Sequence, residues 1–359
     1  MDPEKEKVMI WLERCELLRT MKARHKLLFI LCTLLVLCFI LYSLWKLQQY
    51  KPPAVSNATE APKGTNESSC KRGYAATMMT ANYPRFVKKI PMFLDRNFRL
   101  LPKVKDYLPP FGLKTQEKSI EEILTVTKNY KLGNELDSLS CKRCVIVGGG
   151  AILSNKRKGP IIDEYDVVVR LNGAPVHGHS EDVGTKTTMR ITYPEGAFNN
   201  ASLYENKSLF VLTAFKPQDI KWLRQMVFKQ KLRSIEGFWK SVPVFVPREP
   251  SEIRILNPYF IREAAFQLIG LPSHNGIMSK GNTPTLGTVA ITMALHNCDE
   301  VAVAGFSYDL SKPSAPLHYY GNTKMSAIKD SWTHDIPMEI KFLKKLVEKK
   351  VITDLTNGI

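Results

Sequence analysis

The sequence is poorest in the features that mark metal and disulfide chemistry. Its 359 residues hold seven cysteines, too few to scaffold a chain of this length. No D-x-D pair and no H-E-x-x-H occurs anywhere, so the sequence offers neither an acidic pair for a divalent ion nor the helical zinc pair. Cys141-x-x-Cys144 lacks a second C-x-x-C or a spaced histidine pair that would complete a zinc site. Acidic side chains are scarce as well: 34 Asp and Glu stand against 51 Lys and Arg, a formal net charge of +17. That balance calls for an anionic partner. There is no internal repeat, and 44% hydrophobic with 24% charged residues excludes a disordered or collagen-like chain.

One long stretch does lack charge altogether. Leu27–Trp45 reads LLFILCTLLVLCFILYSLW, 19 residues, which at about 1.5 Å per residue approaches the thickness of a bilayer core. Arg19, Lys22, Arg24 and Lys26 precede it, and Lys46 and Lys51 follow. The positive-inside rule puts the N-terminus in the cytosol, and no A-x-A site follows, so the run reads as an uncleaved signal anchor. The expected organisation is a cytosolic tail over 1–26, a membrane span over 27–45, a stem over 46–82 and one lumenal domain over 83–359. Residues 1–26 carry seven basic and five acidic side chains, which leaves +15 of the net charge beyond the span. Nucleic acid is not the usual ligand on that side, which leaves an acidic membrane surface or a phosphorylated or carboxylated substrate. Sequons at Asn57, Asn66, Asn200 and Asn206 all lie there. So do Cys70, Cys141, Cys144 and Cys298, enough for two bridges whose pairing the spacing leaves open.

Within the lumenal part, Cys144–Gly148, Asp166–Leu171, Leu209–Phe215 and Val301–Phe306 read as short buried strands. Helical patterns alternate with them. Ser119-Ile-Glu-Glu122 has the form of a capping box, followed by Ile120, Ile123, Leu124 and Thr127 on one face. Ile261, Ala264, Ala265 and Leu268 form a second stripe, Thr288–His296 is an apolar helix, and Ile340, Leu343 and Val347 mark a C-terminal helix with a lysine-rich outer face. The alternation predicts an α/β domain whose mostly parallel central sheet is covered on both faces, with ligands at the carboxyl ends of its strands.

Gly148-Gly149-Gly150 follows the first strand and lets the backbone approach a phosphate or nucleotide. It is not a dinucleotide fingerprint: Leu153 stands where another glycine is needed, and Arg170-Leu171-Asn172 supplies no acid for a ribose. Thr283-Pro284-Thr285-Leu286-Gly287 precedes the apolar helix, as an anion site or as an ordinary N-cap. His318-Tyr319-Tyr320-Gly321 and His334 fall in loops beyond a late strand, where histidines serve acid–base work. His296 sits inside the apolar helix and reads as packed.

Taken together, these residues resemble the eukaryotic sialyltransferase family, glycosyltransferase family 29, over about residues 70–359. Cys141-Lys-Arg-Cys-Val-Ile-Val-Gly148 through Tyr165-Asp-Val-Val-Val-Arg-Leu-Asn172 to Val183–Thr188 resembles the large sialyl motif. Pro284–Gly287 through Cys298-Asp299-Glu300-Val301 to Gly305-Phe306 resembles the small motif. His318-Tyr319-Tyr320-Gly321 resembles motif III, and His334 with Glu339 the very small motif. Gly237–Lys240, Arg254–Pro258 and Val351–Leu355 look closest to the N-acetyllactosaminide α-2,3 branch.

The resemblance implies a GT-A-like Rossmannoid single catalytic domain behind a type II Golgi membrane anchor. It implies a CMP-N-acetylneuraminate donor, a galactose-terminated glycan acceptor on glycoprotein or glycolipid, and an inverting transfer with no metal or other cofactor; a homodimer stays open. By motif, His334 is the general base and His318 stabilises the departing phosphate. Gly148, Gly149, Gly150, Asn172, Pro284, Thr285, Gly287, Gly305 and Tyr319 fall where the family holds the donor. The family's pairing is Cys144 with Cys298, and Cys70 with Cys141 follows. Glu339 either orients the C-terminal segment or is a solvated carboxylate at a helix start. One departure stands out: the family has Gly-Asn-Gly where this chain has Gly148-Gly149-Gly150. The lost side chain lowers the expected donor affinity, and restoring it by Gly149→Asn is expected to tighten donor binding. It also leaves open a catalytically weak or inactive relative that binds rather than transfers, beside a glycolipid-specific enzyme.

Overall fold

The computed structural model describes residues 35–43, 70–101, 103–232, 236–328 and 331–359. Residues 35–43 are helical. Among the described residues no helix is long and apolar enough to cross a membrane. Most of the 27–45 run lies outside them, as do Asn57 and Asn66.

Seven strands make one sheet: β1 (Arg143–Val147), β2 (Val167–Leu171), β3 (Met189–Thr192), β4 (Leu209–Leu212), β5 (Ile253–Ile255), β6 (Glu300–Ala304) and β7 (Thr353–Asp354). Their order is β5-β4-β3-β2-β1-β6-β7, and every neighbouring pair is parallel. The expected strands at Cys144, Asp166, Leu209 and Val301 appear within a few residues of their expected bounds. The apolar pattern missed β3 and β5 because each is only four or three residues long and a buried arginine, Arg190 or Arg254, splits its apolar residues. Arg254 spends its donors on the carbonyls of Lys131, Ser251 and Ile253, which satisfies the charge-bearing group without a carboxylate.

Among the described residues from 70 onward the six longest helical segments are α1 (Tyr74–Asn82), α2 (Glu117–Thr127), α3 (Pro217–Val227), α4 (Tyr259–Arg262, continuing as a π-helical stretch Glu263–Ile269), α5 (Leu286–Asn297) and α6 (Ile336–Glu348), with short helices such as Gly159–Asp163 and Ser180–Val183 between them. Side-chain alternation splits the strands between the two faces of the sheet, and among the described residues the buried side chains gather in three cores, one of them joining Phe210, Leu212, Ile253 and Ile255 to α2 and α3. Ile146, Val169, Ile191, Val211 and Val303 pack with α1, α4, α5 and α6. Val145, Val147, Val168 and Ala302 pack on the opposite face with Ile162, Val183 and Tyr319. Every side chain from Leu286 to His296 is buried, which explains why α5 reads as apolar all round. Packed His296 meets Glu263 and stacks on Phe86 at 4.1 Å between ring centroids.

Two expectations change here. Tyr74–Asn82, read as part of the stem, is α1: Ala75 and Met79 are fully buried and Cys70 is bonded to Cys141. Its polar outer residues match a stem in composition, but two small or flexible apolar side chains suffice to dock it. α2 begins at Glu117 with Gln116 as N-cap, so Ser119 lies inside the first turn and forms no capping box; the Ile120, Ile123, Leu124 and Thr127 stripe is buried as expected. Cys144 of β1 is bonded to Cys298, which ends α5, across a sequence separation of 154.

From β1 to β5 successive strands are added on one side, whereas β6 and β7 lie on the other. The order therefore reverses between β1 and β6, and the crevice at their carboxyl ends is where such sheets take ligands.

Candidate active site

The crevice floor is made by backbone touching backbone. A Cβ at Gly148 would lie 2.7 Å from the Gly305 carbonyl oxygen, and one at Gly150 would lie 2.5 Å from it. Gly150 N–H donates to that carbonyl at 3.0 Å. Gly305, just past β6, has φ +78°, and a Cβ there would meet Leu153 Cδ1 at 2.3 Å. These glycines are required by the close approach of the β1 and β6 ends.

The motif at 318–320 is laid antiparallel on this loop. Tyr319 N–H donates to Gly149 O at 3.0 Å, and Ala151 N–H donates to Leu317 O at 3.1 Å. His318 stacks on Tyr320, with centroids 5.1 Å apart and planes 8° apart. Burial holds the His318 imidazole below its ordinary value of 6.5. Tyr319 is turned elsewhere: its hydroxyl donates to Pro175 O at 2.7 Å and its ring meets the edge of His179. Gly149 faces the stack. A Cβ there would lie 3.1 Å from His318 Cδ2 and 3.4 Å from Tyr320 Cε1. Its φ is not in the left-handed region, so backbone strain does not select glycine here, and crowding does. An asparagine at 149 must displace His318 by a few tenths of an ångström, which replaces the expectation that it simply tightens donor binding.

Asn172 follows β2 directly, with φ 51°. Arg190 donates to its carbonyl at 2.6 Å and to Ala174 O at 3.0 Å, and Thr192 donates to Asn172 Oδ1 at 3.3 Å. A Cβ at Gly196 would lie 2.3 Å from that Oδ1, so Gly196 makes the room Asn172 needs. With Oδ1 engaged, the amide N–H groups are what Asn172 can offer a ligand. Arg170, in register with Arg190 on the next strand, is fully buried without a carboxylate partner; its hydrogen bonds go to Thr187 Oγ1 and the carbonyls of Val183 and Lys186. Burial lowers it to about 10, so it stays cationic at neutral pH. Fixed positive charge at this end of the sheet favours an anionic ligand. Sequence reading used Arg170 only as the absence of an acid and missed its buried charge.

The remaining residues gather at the start of α5. Thr285 is its N-cap, and Gly287 gives way to Phe306, whose Cε1 would be 2.6 Å from a Cβ. Phe306 also lies 3.2 Å from the corresponding point at Gly148, so it joins this group to the glycine loop. Pro284 is buried. Glu339, in the first turn of α6, is 1% exposed. It accepts from Thr285 N–H at 2.9 Å, from Thr285 Oγ1 at 2.6 Å and from Thr288 Oγ1. Burial pushes its pKa up, against the pull of nearby His334 and these hydrogen bonds. It is therefore a clasp between two helix starts, and the solvated reading is excluded. His334 lies just ahead of α6 in a segment tied to 281–283: Gly281 N–H donates to Trp332 O at 2.8 Å and Thr283 N–H to Thr333 O at 3.0 Å. His334 Nδ1 stands 2.6 Å from Thr283 O. A carbonyl can only accept, so Nδ1 carries a proton, and in the neutral ring Nε2 presents the lone pair.

Sequence reasoning also missed the last residues. Gly305 N–H donates to Thr356 Oγ1 at 3.2 Å, and Asp354 accepts from Thr356, Gly358 and Ile359. The C-terminal tail thus braces the crevice floor; from sequence, Val351–Leu355 stands out only for its family resemblance. Asn200 and Asn206 are exposed on the surface. Among the described residues no three His, Cys, Asp or Glu side chains group as a metal-ligand set.

The sequence profile of glycosyltransferase family 29 (sialyltransferase) matches residues 93–351. The chain is 54% identical over 368 residues to a Homo sapiens CMP-N-acetylneuraminate-beta-1,4-galactoside alpha-2,3-sialyltransferase, covering 93% of this chain and 98% of that protein. A Mus musculus type 2 lactosamine alpha-2,3-sialyltransferase is 39% identical over 324 residues, covering 89% and 96%. Among solved structures, a mammalian sialyltransferase crystallised with Gal-beta-1-3GalNAc-ortho-nitrophenol shares the fold, with a TM-score of 0.60 over 80% of this chain and 98% of that one at 22% identity. On the strength of the profile and of relatives aligned almost end to end, this chain belongs to glycosyltransferase family 29, the sialyltransferases.

Proposed function

We propose that the chain transfers sialic acid from CMP-N-acetylneuraminate to the 3-hydroxyl of a terminal β-galactose, with inversion and without a metal ion. The observation that carries the mechanism is the His334 tautomer: with Nδ1–H held by Thr283 O, Nε2 is free to take the proton of the galactose hydroxyl. The galactose oxygen then attacks the anomeric carbon of sialic acid. The new C–O bond forms as the bond to the CMP phosphate breaks, and the electron pair leaves with the phosphate. His318, beside the glycine loop, stabilises that oxygen; Asn172 and the loop hold the nucleotide. The same reading makes the chain a Golgi type II membrane protein with its catalytic body in the lumen, as the charge pattern around 27–45 supports. Assaying the full chain with CMP-N-acetylneuraminate against type 1 and type 2 lactosamine and lactosylceramide tests it. Transfer to at least one lactosamine supports it, transfer to lactosylceramide alone favours the glycolipid reading, and no transfer leaves a binding protein.

The His318 environment predicts a pH dependence. In the empty site its pKa is below 6.5, and a bound phosphate raises it by favouring the imidazolium. CMP affinity is then fully present below the empty-site value and is lost as pH rises through the bound-state value. Between the two the fall approaches about tenfold per pH unit. Titrating CMP against the full chain at several pH values checks this, and His318→Gln should flatten the profile.

The metal-free reading predicts that EDTA leaves the initial rate unchanged. Loss of activity in EDTA, with recovery on adding Mn²⁺, contradicts it.

A further inference from the structure

Tyr320 has a polar group beside the glycine loop that the mechanism above does not use. Its ring is fixed by the stack on His318 and by an edge contact with Tyr319 at 5.0 Å. Its hydroxyl lies 3.5 Å from where a Cβ of Gly149 would be, directly over the glycine loop. Unlike the Tyr319 hydroxyl, which is spent on Pro175 O, it makes no hydrogen bond within the described residues. The side chain is only half-buried, so this donor faces the crevice. A half-buried hydroxyl held rigidly and left without a protein partner is prepared for a ligand.

We propose that Tyr320 Oη donates a hydrogen bond to the phosphate of the bound CMP moiety, supplying from motif III the contact that glycine at 149 cannot make. This rests on the sialyltransferase reading above. Three observations support the choice of phosphate. His318, which that reading assigns to the phosphate, is the ring Tyr320 stacks on. The carboxyl ends of β1 and β6 converge at this point. Burial also raises the Tyr320 pKa above 10, so the phenol keeps its proton and can only donate toward an anion. The terminal atom of an asparagine amide lies roughly 2.4 Å from its Cβ by standard bond lengths. The hydroxyl therefore stands within about an ångström of the radius that such a side chain would reach. Gly149 and Tyr320 form a matched pair, in which the small residue makes room for the large one.

The test compares CMP with cytidine, which lacks the phosphate, as inhibitors of the full chain and its Tyr320→Phe variant. Phenylalanine keeps the ring and its stack, and no protein hydrogen bond is lost, so the fold should survive. A hydrogen bond to a charged group predicts that the CMP inhibition constant rises about tenfold or more in Tyr320→Phe. The cytidine constant should change less than twofold. Equal weakening of CMP and cytidine would mean a merely structural ring and would overturn the assignment, as would an unchanged CMP constant. A wild-type chain that binds neither compound would overturn the sialyltransferase reading, and this inference with it. As a second measurement, Gly149→Asn should weaken CMP by displacing the stack, and adding Tyr320→Phe to it should cost less than it does alone. Full additivity would contradict the pairing.

Discussion

His334→Ala removes nearly all transfer while leaving the donor bound. General-base catalysis is typically worth about 10²–10⁴-fold, which corresponds to roughly 3–5 kcal/mol of the barrier. The loss should fall on kcat, because Nε2 meets the proton of the acceptor hydroxyl only as it attacks. The inhibition constant for CMP should stay within about threefold, since phosphate recognition is assigned to other residues. His334→Gln is a useful companion: it keeps a donor near Thr283 O but has no lone pair of suitable basicity. It should be nearly as inactive as alanine. Steady-state kinetics with a thermal melt separates the cases, and a folded His334→Ala variant with near-normal kcat contradicts the assignment.

Glu339→Ala carries the largest expected cost in stability. Its carboxyl accepts from Thr285 N–H, Thr285 Oγ1 and Thr288 Oγ1 in a region closed to water. Truncation strands those three donors and leaves a cavity at the junction of α5 and α6. Each buried unsatisfied group costs about 1–3 kcal/mol, so a loss of about 3 kcal/mol or more is expected even after local relaxation. At about 2 °C per kcal/mol for a body of this size, the melting temperature should drop by roughly 6 °C or more. The loss should propagate to function, because the Thr285 cap and the His334 segment both rest on this clasp. Glu339→Gln preserves volume and can re-pair with the hydroxyls, so it should recover most of the stability. A Glu339→Ala chain that melts like wild type would contradict the clasp.

Local chemistry made much of this legible from sequence. The strands β1, β2, β4 and β6 each carry four apolar residues because both faces are buried. Periodicity finds such runs without help from tertiary structure. β3 and β5 were invisible because strands of four and three residues leave no period to detect, and a buried arginine splits the short apolar run in each, whereas β2 keeps three valines ahead of its own. α1 was hidden for the opposite reason: a mean composition close to that of a linker conceals two contacts that decide its place. At the site, glycine and histidine positions were readable because turns and proton transfer demand those residue types. The partners were not. That Glu339 is buried, that Arg170 is buried without a carboxylate partner, and that Asp354 and Thr356 brace Gly305 all depend on residues far apart in sequence. Gly149 shows the limit most clearly. From sequence it is a missing side chain, whereas in the fold it is space occupied by His318 and Tyr320.

The central claim is tested most directly by the linkage formed when the full chain is given CMP-N-acetylneuraminate and a β-galactoside acceptor. The sialylated product can be read by NMR and by digestion with a linkage-specific sialidase. An α-linkage to galactose O3, inverted relative to the β-configured donor, is the expected result. Sialic acid at O6, a retained configuration, or hydrolysis without transfer would contradict the account.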